Sequence, residues 1–226
     1  MYNKDKWLSQ QFGYNVFRVN LLNSKIIEDI DKKNNKSFIY FKTTNFTKNK
    51  LKLKKYNFDL IEKTILFNLK ISKIYNFHEN CRIAKLKDKN DIKKISKYSF
   101  LNSRFFQDYK ICKKIAYNVK SNWIENYFSG KRGNKIIVYE TKNTIQGFIL
   151  LIHKNNELII DLIAVKKGLR GKEIGSKLIE SSISLYNNLN YICAGTQVSN
   201  ISSISFYKKN NFVIKRKGYT FHRHKP

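Results

Sequence analysis

One segment in the last third of the chain has the clearest pattern of secondary structure. It reads Leu158-Ile159-Ile160-Asp161-Leu162-Ile163-Ala164-Val165 and continues as Lys166-Lys167-Gly168-Leu169-Arg170-Gly171-Lys172-Glu173-Ile174-Gly175-Ser176-Lys177-Leu178-Ile179. The apolar run predicts a strand, the basic segment with its glycines predicts a turn, and the apolar stripe that begins at Ile174 predicts a helix. A helix that starts this way leaves backbone N–H groups unpaired, and these can hold phosphate oxygens. The segment therefore predicts an anion site, although many such turns bind nothing.

The pattern on both sides of this segment predicts an α+β protein. Turn-forming residues separate three consecutive strands, which indicates an antiparallel meander. Helical periodicity precedes the meander, and a further strand, a short helix and two strands follow the helix that begins at Ile174. Helices over a mixed, mostly antiparallel sheet are an α+β arrangement. The predicted strands are 135–141, 145–152, 157–165, 191–198, 212–217 and 219–224, and the predicted helices are 92–99, 109–127 and 202–209.

The first third of the chain has a weaker pattern. Short strand-like pieces such as Ser37 to Lys42 alternate with a lysine-rich stretch from Lys48 to Lys55, and the periodicity sharpens only at Cys81. We therefore predict a smaller α/β region over residues 1–79 and a second domain over residues 80–226. Residues 1–79 either complete a substrate site, supply a dimer face, or do both.

The charge of the chain is strongly positive. Its 226 residues include 45 Lys and Arg against 16 Asp and Glu, a net charge of +29, while 42% of residues are hydrophobic. That apolar content excludes a disordered polycation. The net charge produces a positive surface potential, which attracts anionic partners, namely nucleic acid, acidic lipid or phosphorylated small molecules. Because only 7 of the 45 cations are Arg and no basic cluster is interleaved with aromatics, the composition weighs against nucleic acid.

Cysteine and histidine usage predicts neither a disulfide framework nor a metal site. The three cysteines have no C-x-x-C spacing, which indicates a reducing compartment. His222 and His224 share one face of a strand without an evident third ligand, so we expect surface histidines. No apolar run approaches the ~18 residues of a membrane span. We expect a soluble, cytoplasmic protein without membrane insertion.

Two motifs identify a family resemblance. Arg170 to Gly175 resembles the coenzyme A pyrophosphate loop of the GCN5-related N-acetyltransferase (GNAT) superfamily, Arg/Gln-x-x-Gly-x-Gly/Ala, with Glu173 in place of the middle glycine. Asn200 to Phe212 resembles the superfamily pattern Asn-x-x-Ala-x-x-Phe-Tyr-x-x-x-Gly-Phe, with Ser203 for Ala and Asn211 for Gly. The Glu173 carboxylate would lie near the diphosphate unless its side chain points to solvent.

The resemblance implies the GNAT fold, acetyl-CoA as co-substrate and direct attack without a covalent enzyme intermediate. It implies that Tyr207 protonates the departing thiolate, and the alternative for Tyr207 is a buried aromatic. It also implies that Asn200 bonds the cofactor, and the alternative for Asn200 is a helix cap. The cofactor residues that it implies are Ile163, Ala164, Val165, Arg170, Gly171, Lys172, Glu173, Ile174, Gly175, Ser176 and Asn200.

Four further motifs look like the TDP-fucosamine acetyltransferase group within that superfamily. They are Trp7-x-Ser9-x-x-Phe12-Gly13, Ser103-Arg104-Phe105-x-x-Asp108, Trp123-x-x-Asn126 and Gly195-Thr196-Gln197-x-x-Asn200. The likeness implies a nucleotide-linked, dTDP-type amino-dideoxy sugar as acceptor. Arg104 and Gln197 are then candidate substrate residues, with Arg104 on the diphosphate or, alternatively, in an ion pair with a neighbour such as Asp108.

The general base stays open among Asp161, Glu157, Glu140 and a water relay. Two other functions also stay open. One is a GNAT enzyme acting on another amine, such as a protein N-terminus or a small molecule, and the other is an inactive basic protein that binds RNA or the ribosome. The sequence leaves the sugar, the acyl length and the oligomeric state undecided.

Overall fold

The computed structural model describes residues 1–226 as ten strands and eight helices. The strands are β1 (Tyr2–Lys4), β2 (Asn15–Val19), β3 (Ser37–Thr43), β4 (Asp59–Lys70), β5 (Cys81–Ile83), β6 (Lys135–Thr141), β7 (Thr144–Lys154), β8 (Glu157–Val165), β9 (Tyr191–Gln197) and β10 (Val213–Lys225). The helices are α1 (Lys6–Phe12), α2 (Ser24–Lys33), α3 (Phe46–Lys55), α4 (Lys89–Lys97), α5 (Arg104–Gln107), α6 (Lys113–Phe128), α7 (Ile174–Ser184) and α8 (Ile201–Lys209). No helix is both long and apolar enough to cross a membrane.

All ten strands form one sheet in the order β1-β2-β3-β10-β4-β9-β8-β7-β6-β5. Only the β2–β3 and β8–β9 pairs are parallel. The remaining neighbours are antiparallel, so the predicted α+β class with a mixed, mostly antiparallel sheet is confirmed.

Alternation of side chains along the strands buries both faces of the sheet. In β3, Phe38 and Tyr40 pack towards α1, α5 and α6, while Ile39 and Phe41 pack towards α2 and α3. Farther along the sheet, α7 covers the same face as α2 and α3, and α4 covers the same face as α6. The period of two in the strands thus produces two apolar layers, and α6 spans most of one of them.

The amino-terminal region supplies a central strand. β4, from residues 59–70, lies between β9 and β10 and is antiparallel to both. The sheet therefore runs through the division that we predict between residues 79 and 80. That division stays a prediction, and residues 1–79 are packed into the same layers as the rest.

Several element boundaries differ from the sequence expectations. The meander occurs where predicted, but residues 213–225 form one continuous strand and not two. Gly218 lies within β10, where an added Cβ would meet the Thr64 hydroxyl at 2.7 Å, so this glycine allows a close approach between β10 and β4 and makes no turn. The helix expected from Tyr109 begins only at Lys113.

Candidate active site

The two neighbouring parallel strands in the middle of the sheet part from one another. β8 and β9 are paired from Glu157 with Tyr191 as far as Ile160 with Ala194. Beyond that point residues 162–165 stay paired only with β7, and residues 195–197 stay paired only with β4. We call the resulting gap the strand opening. Ile163, Ala164 and Val165 border it with an unpaired backbone edge, as a strand-like ligand requires.

The anion loop, residues 166–173, connects β8 to α7 beside this opening. Its four cations Lys166, Lys167, Arg170 and Lys172 are exposed and form no ion pair. No side chain caps the amino-terminal end of α7, and its first backbone bond runs from Lys177 N–H to the Glu173 carbonyl. The N–H groups of Ile174, Gly175 and Ser176 therefore stay free at the positive end of the helix dipole, which suits a phosphate group.

Gly171 of the anion loop and Gly175 of α7 meet different structural requirements. Gly171 has φ of +83°, a left-handed conformation that glycine adopts without strain. Gly175 has no such φ, but a Cβ there would lie 2.8 Å from the ring of Phe206 in α8. Gly175 therefore permits close contact between α7 and α8, and its place among the cofactor residues stays a prediction.

Glu173 has the backbone conformation that explains a glycine at this position in the family pattern. Its φ is +60° and its ψ is 5°. Its side chain is 62% exposed, with a carboxylate oxygen 3.5 Å from Lys209 Nζ. The side chain points to solvent, so the carboxylate does not block the free N–H groups of α7, although it keeps a negative charge in a basic loop.

We expect Glu173→Gly to stabilise the protein and to tighten binding of a diphosphate ligand. A non-glycine residue in the left-handed conformation is strained, and glycine removes this strain, which raises the free energy of unfolding by about 1 kcal/mol. The greater backbone entropy that glycine loses on folding offsets part of this gain. Removing the charge tightens binding of such a diphosphate ligand by up to about fivefold. Urea unfolding and calorimetry check both effects. Glu28→Gln, an exposed change in α2, is the control, and an unchanged affinity would contradict the charge argument.

Tyr207 lies on the α7 side of the sheet, below the opening. It is 4% exposed, and its ring packs against Phe67, Phe206 and Phe212 with centroids 5.2–5.4 Å apart. Burial raises the pKa of Tyr207 above its ordinary value of 10.0, and no hydrogen bond contributes. The phenol therefore keeps its proton, as an acid must before transfer. The ring is therefore a buried aromatic, which is the alternative that the sequence left open. The role of Tyr207 as acid stays a prediction.

Two asparagines of the second motif, Asn200 and Asn211, lie at the two ends of α8. The Asn200 side chain accepts hydrogen bonds from the Ser203 N–H at 3.2 Å and from the Ser202 hydroxyl at 3.0 Å, so Asn200 is a helix cap. Its amide NH2 remains available, and its cofactor role stays a prediction. Asn211 has φ of +62°, which confirms it as the left-handed substitute for glycine after the helix.

A row of polar side chains crosses the opposite face of the sheet and ends at the opening. Lys42 is paired with Thr220 across β3 and β10, and Thr220 is paired with Glu62 across β10 and β4. The Gln197 side chain, at the end of β9, donates to Glu62 Oε1 at 2.8 Å. We call Lys42, Thr220, Glu62 and Gln197 the polar row. It leads from the strand opening into the layer under α5 and α6.

Arg104, the first residue of α5, covers this row. It is 9% exposed, and its guanidinium carbon lies 4.4 Å from the ring centroid of Tyr40 and 4.3 Å from that of Phe105. Its backbone N–H donates to Glu62 Oε1 at 3.2 Å. Burial lowers the pKa of Arg104. Arg104 and Gln197, the two residues predicted to bind the acceptor substrate, therefore both contact Glu62.

Arg104 is held through a histidine and not by a direct ion pair with Asp108. Arg104 Nη1 lies 3.0 Å from His222 Nε2, and His222 Nδ1 lies 2.6 Å from Asp108 Oδ2. A carboxylate only accepts and a guanidinium only donates, so neutral His222 with its proton on Nδ1 satisfies both. His224 Nε2 lies 2.7 Å from the same carboxylate oxygen.

This arrangement corrects the expectation of surface histidines without a third ligand. His222 is 0% exposed and Asp108 is 1% exposed. Potential ligand atoms of Asp108, His222 and His224 lie within 4.8 Å of one another. A divalent cation there would face the Arg104 guanidinium, which already occupies the free nitrogen of His222, so the geometry favours a hydrogen-bonded network.

The buried His222 makes stability depend on pH. Burial, with a contribution from nearby Arg104, lowers the pKa of His222 from 6.5 to about 4. On acidification the unfolded chain takes up this proton first, so the stability present at neutral pH is lost as the pH falls from 6.5 towards 4. The expected loss is about 3 kcal/mol. Urea unfolding across this range measures it, and a His222→Gln variant should give a flatter profile. A constant unfolding free energy would contradict this assignment.

Two lysines face the same layer, Lys42 with an exposed side chain and Lys120 with a buried one. Lys120 of α6 is 8% exposed, with Nζ 5.0 Å from the Trp123 ring centroid. Desolvation, with smaller contributions from Arg104 and Arg132, lowers the pKa of Lys120 to about 8. The pKa of Lys42 is likewise lowered to about 8, first by desolvation and then by nearby cations. Neither lysine forms an ion pair, so both are available to an anionic ligand.

The three carboxylates considered as bases are not poised at the opening. Asp161 accepts from Arg132 at 2.7 Å, from Trp123 at 2.7 Å and from Tyr127 at 2.9 Å. Burial alone would raise the pKa of Asp161, but these donors hold it below its usual value. Glu140 is paired with Arg82, and Glu157 begins β8 at the end away from the opening. Asp161 instead fixes α6 and the segment after it to β8.

Sequence reasoning missed Glu62, Lys42 and Lys120. Glu62 and Gln197 are 135 residues apart, and no motif joins them. The one available signal was a carboxylate inside an alternating strand pattern, in the amino-terminal region that the sequence offered as part of a substrate site without naming residues.

The comparisons with known proteins agree with this geometry. Residues 102–212 match the model of the acetyltransferase (GNAT) family. The spore coat polysaccharide biosynthesis protein SpsD of Bacillus subtilis (strain 168) is 28% identical over 137 residues, which make up 60% of this chain and 47% of that protein. The chain thus spans about half the length of this curated relative.

Two solved structures share the fold. A GCN5-related N-acetyltransferase from Sphaerobacter thermophilus aligns over 84% of this chain and 60% of that chain, with a TM-score of 0.58 and 10% identity. A functionally unknown conserved protein from Staphylococcus epidermidis ATCC 12228 aligns over 96% and 88%, with a TM-score of 0.64 and 13% identity. At these identities the likeness concerns the fold alone. The family match covers the anion loop and α8, so residues 102–212 are similar to the acetyltransferase domain of the GNAT family.

Proposed function

We propose that the protein transfers an acetyl group from acetyl-CoA to the amine of a nucleotide-linked, dTDP-type amino-dideoxy sugar. The single observation that carries the acetyl-CoA part is the strand opening flanked by the uncapped start of α7. That pairing offers a strand-like edge to the pantetheine arm and free N–H groups to the diphosphate. The three cysteines are free, which agrees with a cytoplasmic location.

In the proposed reaction the acceptor amine attacks the thioester directly. A backbone N–H of residues 163–165 would stabilise the developing oxyanion, and Tyr207 would give its phenolic proton to the departing thiolate. Arg170, Lys172 and the N–H groups of 174–176 would hold the diphosphate. Asn200 would add a hydrogen bond from its amide NH2. Because Tyr207 and the polar row lie on opposite faces of the sheet, the thiol would leave on one side and the acceptor would enter from the other.

The acceptor assignment rests on charge and on one relative. Arg104, Lys42 and Lys120 surround the layer that ends at Gln197, and three cations suit an acceptor that carries a diphosphate. The printed name of the relative from Bacillus subtilis concerns spore coat polysaccharide biosynthesis. Nucleotide-activated sugars fit both observations. Another small amine is the second candidate, and a dimer formed through residues 1–79 remains part of the proposal.

Calorimetry with acetyl-CoA tests the first part. The wild type should bind at micromolar concentration, and Arg170→Ala should weaken binding by about ten- to hundredfold, because it removes charge-assisted bonds to the diphosphate. Lys50→Ala, an exposed cation lost from α3, is the matched control and should change affinity less than about twofold.

A second variant and a competitor separate the remaining outcomes. Gly175→Trp would displace α8 through Phe206 and should abolish binding. If acetyl-CoA does not bind but a short RNA does, with a steep dependence on salt, the inactive nucleic-acid-binding alternative replaces this proposal.

A further inference from the structure

We propose that Glu62 of β4 is the general base that takes the proton from the acceptor amine. This inference rests on the proposed acetyl transfer and names a residue that the loop and α8 motifs do not include. Its basis is the placement of a buried, incompletely bonded carboxylate at the acceptor side of the strand opening.

The position of Glu62 follows from the strand register. Ile65 and Phe67 of β4 point into the layer of α7, the layer that also holds Tyr207. Glu62 is an odd number of residues from both and points to the opposite face. Its contact with Gln197 places it next to the part of β9 that has already left β8. An amine beside Glu62 would therefore approach the opening from the face opposite the proposed thiolate acid.

The carboxylate is held firmly but keeps capacity for another bond. Oε1 accepts from the Gln197 side chain at 2.8 Å and from the Arg104 N–H at 3.2 Å. Oε2 has only a 3.5 Å contact with the Thr220 hydroxyl. Glu62 is 7% exposed, so the side chain is almost buried yet reaches open space. An ionised carboxylate offers about four acceptor sites, and Oε2 is the oxygen left for a ligand.

Every other carboxylate near the opening is already occupied. Asp161 is paired with Arg132, and Asp108 accepts from two histidines. The charged groups that face Glu62 are all cations: Lys42 from β3, Arg104 from α5 and Lys120 from α6. These cations repel an ammonium group, so the place where an amine can enter this layer is beside the one carboxylate.

The proton balance closes without a further reagent. The acceptor ammonium gives one proton to Glu62 Oε2, its nitrogen forms the bond to the thioester carbon, and the carbon–sulfur bond breaks. The thiolate takes the Tyr207 proton, and the second nitrogen proton restores Tyr207 directly or through solvent. Glu62 then releases its proton to solvent. An ammonium and a thioester give an amide, a thiol and one proton.

The test compares the wild type with Glu62→Gln, using dTDP-4-amino-4,6-dideoxygalactose as acceptor. Near pH 7, kcat should fall by about 10²- to 10³-fold, while the Kd for acetyl-CoA stays within about twofold. At about pH 9.5 the amine is already neutral, so the difference should shrink to a few-fold. Lys42 and Lys120 lose charge in both proteins over this range, so the ratio of the rates isolates Glu62.

Two further variants complete the design. Glu62→Asp keeps the carboxylate and should recover part of the rate, while Glu28→Gln controls for the loss of one negative charge. If Glu62→Gln does not fold, Gln197→Met leaves the carboxylate but removes its 2.8 Å anchor and should slow transfer by about tenfold.

The outcomes are distinguishable. A Glu62→Gln rate within threefold of wild type, or a deficit that is the same at both pH values, overturns the role of Glu62 and leaves the acetyl transfer intact. A wild type that binds acetyl-CoA but acetylates neither this sugar nor a panel of simple amines overturns the proposed function, and the role of Glu62 falls with it.

Discussion

Replacing Tyr207 by Phe is expected to reduce kcat by about 10²- to 10³-fold and to leave acetyl-CoA affinity unchanged within about twofold. The ring stays in its cluster with Phe67, Phe206 and Phe212, so packing is preserved. The hydroxyl makes no hydrogen bond within the chain, and its loss should change the free energy of unfolding by less than about 1 kcal/mol. The expected loss in kcat reflects the proposed role of Tyr207 as proton donor for the thiolate.

Steady-state rates, calorimetry and urea unfolding measure these three quantities separately. Tyr98→Phe, at a 62% exposed position beyond α4, is the control and should match the wild type in all of them. A Tyr207→Phe enzyme with kcat within threefold of wild type would remove Tyr207 from the chemistry and leave it only its packing role. A large loss of stability would point to a hydrogen bond that the structure lacks.

Asp108→Asn is expected to lower the free energy of unfolding by about 3 to 5 kcal/mol. Asp108 accepts from His222 at 2.6 Å, from His224 at 2.7 Å and from the Lys110 N–H at 3.0 Å. Burial alone would raise the pKa of Asp108, but the two histidines hold it far below its usual value. An amide NH2 in place of one oxygen would face a donor with a donor inside the core, which costs the desolvation of both groups.

Chemical denaturation near neutral pH checks this value. Asp91→Asn is the matched control, because Asp91 is 56% exposed and paired only with Lys94, so its loss should cost less than about 0.5 kcal/mol. Asp108→Asn should also release His222 and with it the orientation of Arg104. An Asp108→Asn protein as stable as the control would mean that the histidines find other partners and that the network does not hold α5 against the sheet.

Local pattern was a good guide wherever neighbours in sequence are neighbours in space. The β6–β7–β8 meander and the strand–loop–helix that follows it were predicted almost to the residue, because short turns bring each strand beside the last. The break expected near Gly218 was wrong for the opposite reason. Gly218 is needed because its backbone lies close to Thr64, more than 150 residues earlier, and a local sequence pattern cannot predict such a contact.

The candidate site likewise has features that depend on local spacing and features that depend on contacts between distant parts of the chain. The basic loop, the position of Tyr207 and the order of elements around them could be predicted, because they depend on spacing within about forty residues. Three features come from long-range packing: β4 enters the sheet between β9 and β10, β8 and β9 part after Ile160, and Glu62 meets Gln197. The burial of His222 has the same origin. Strand order and burial are set by packing over the whole chain, and no segment contains that information alone.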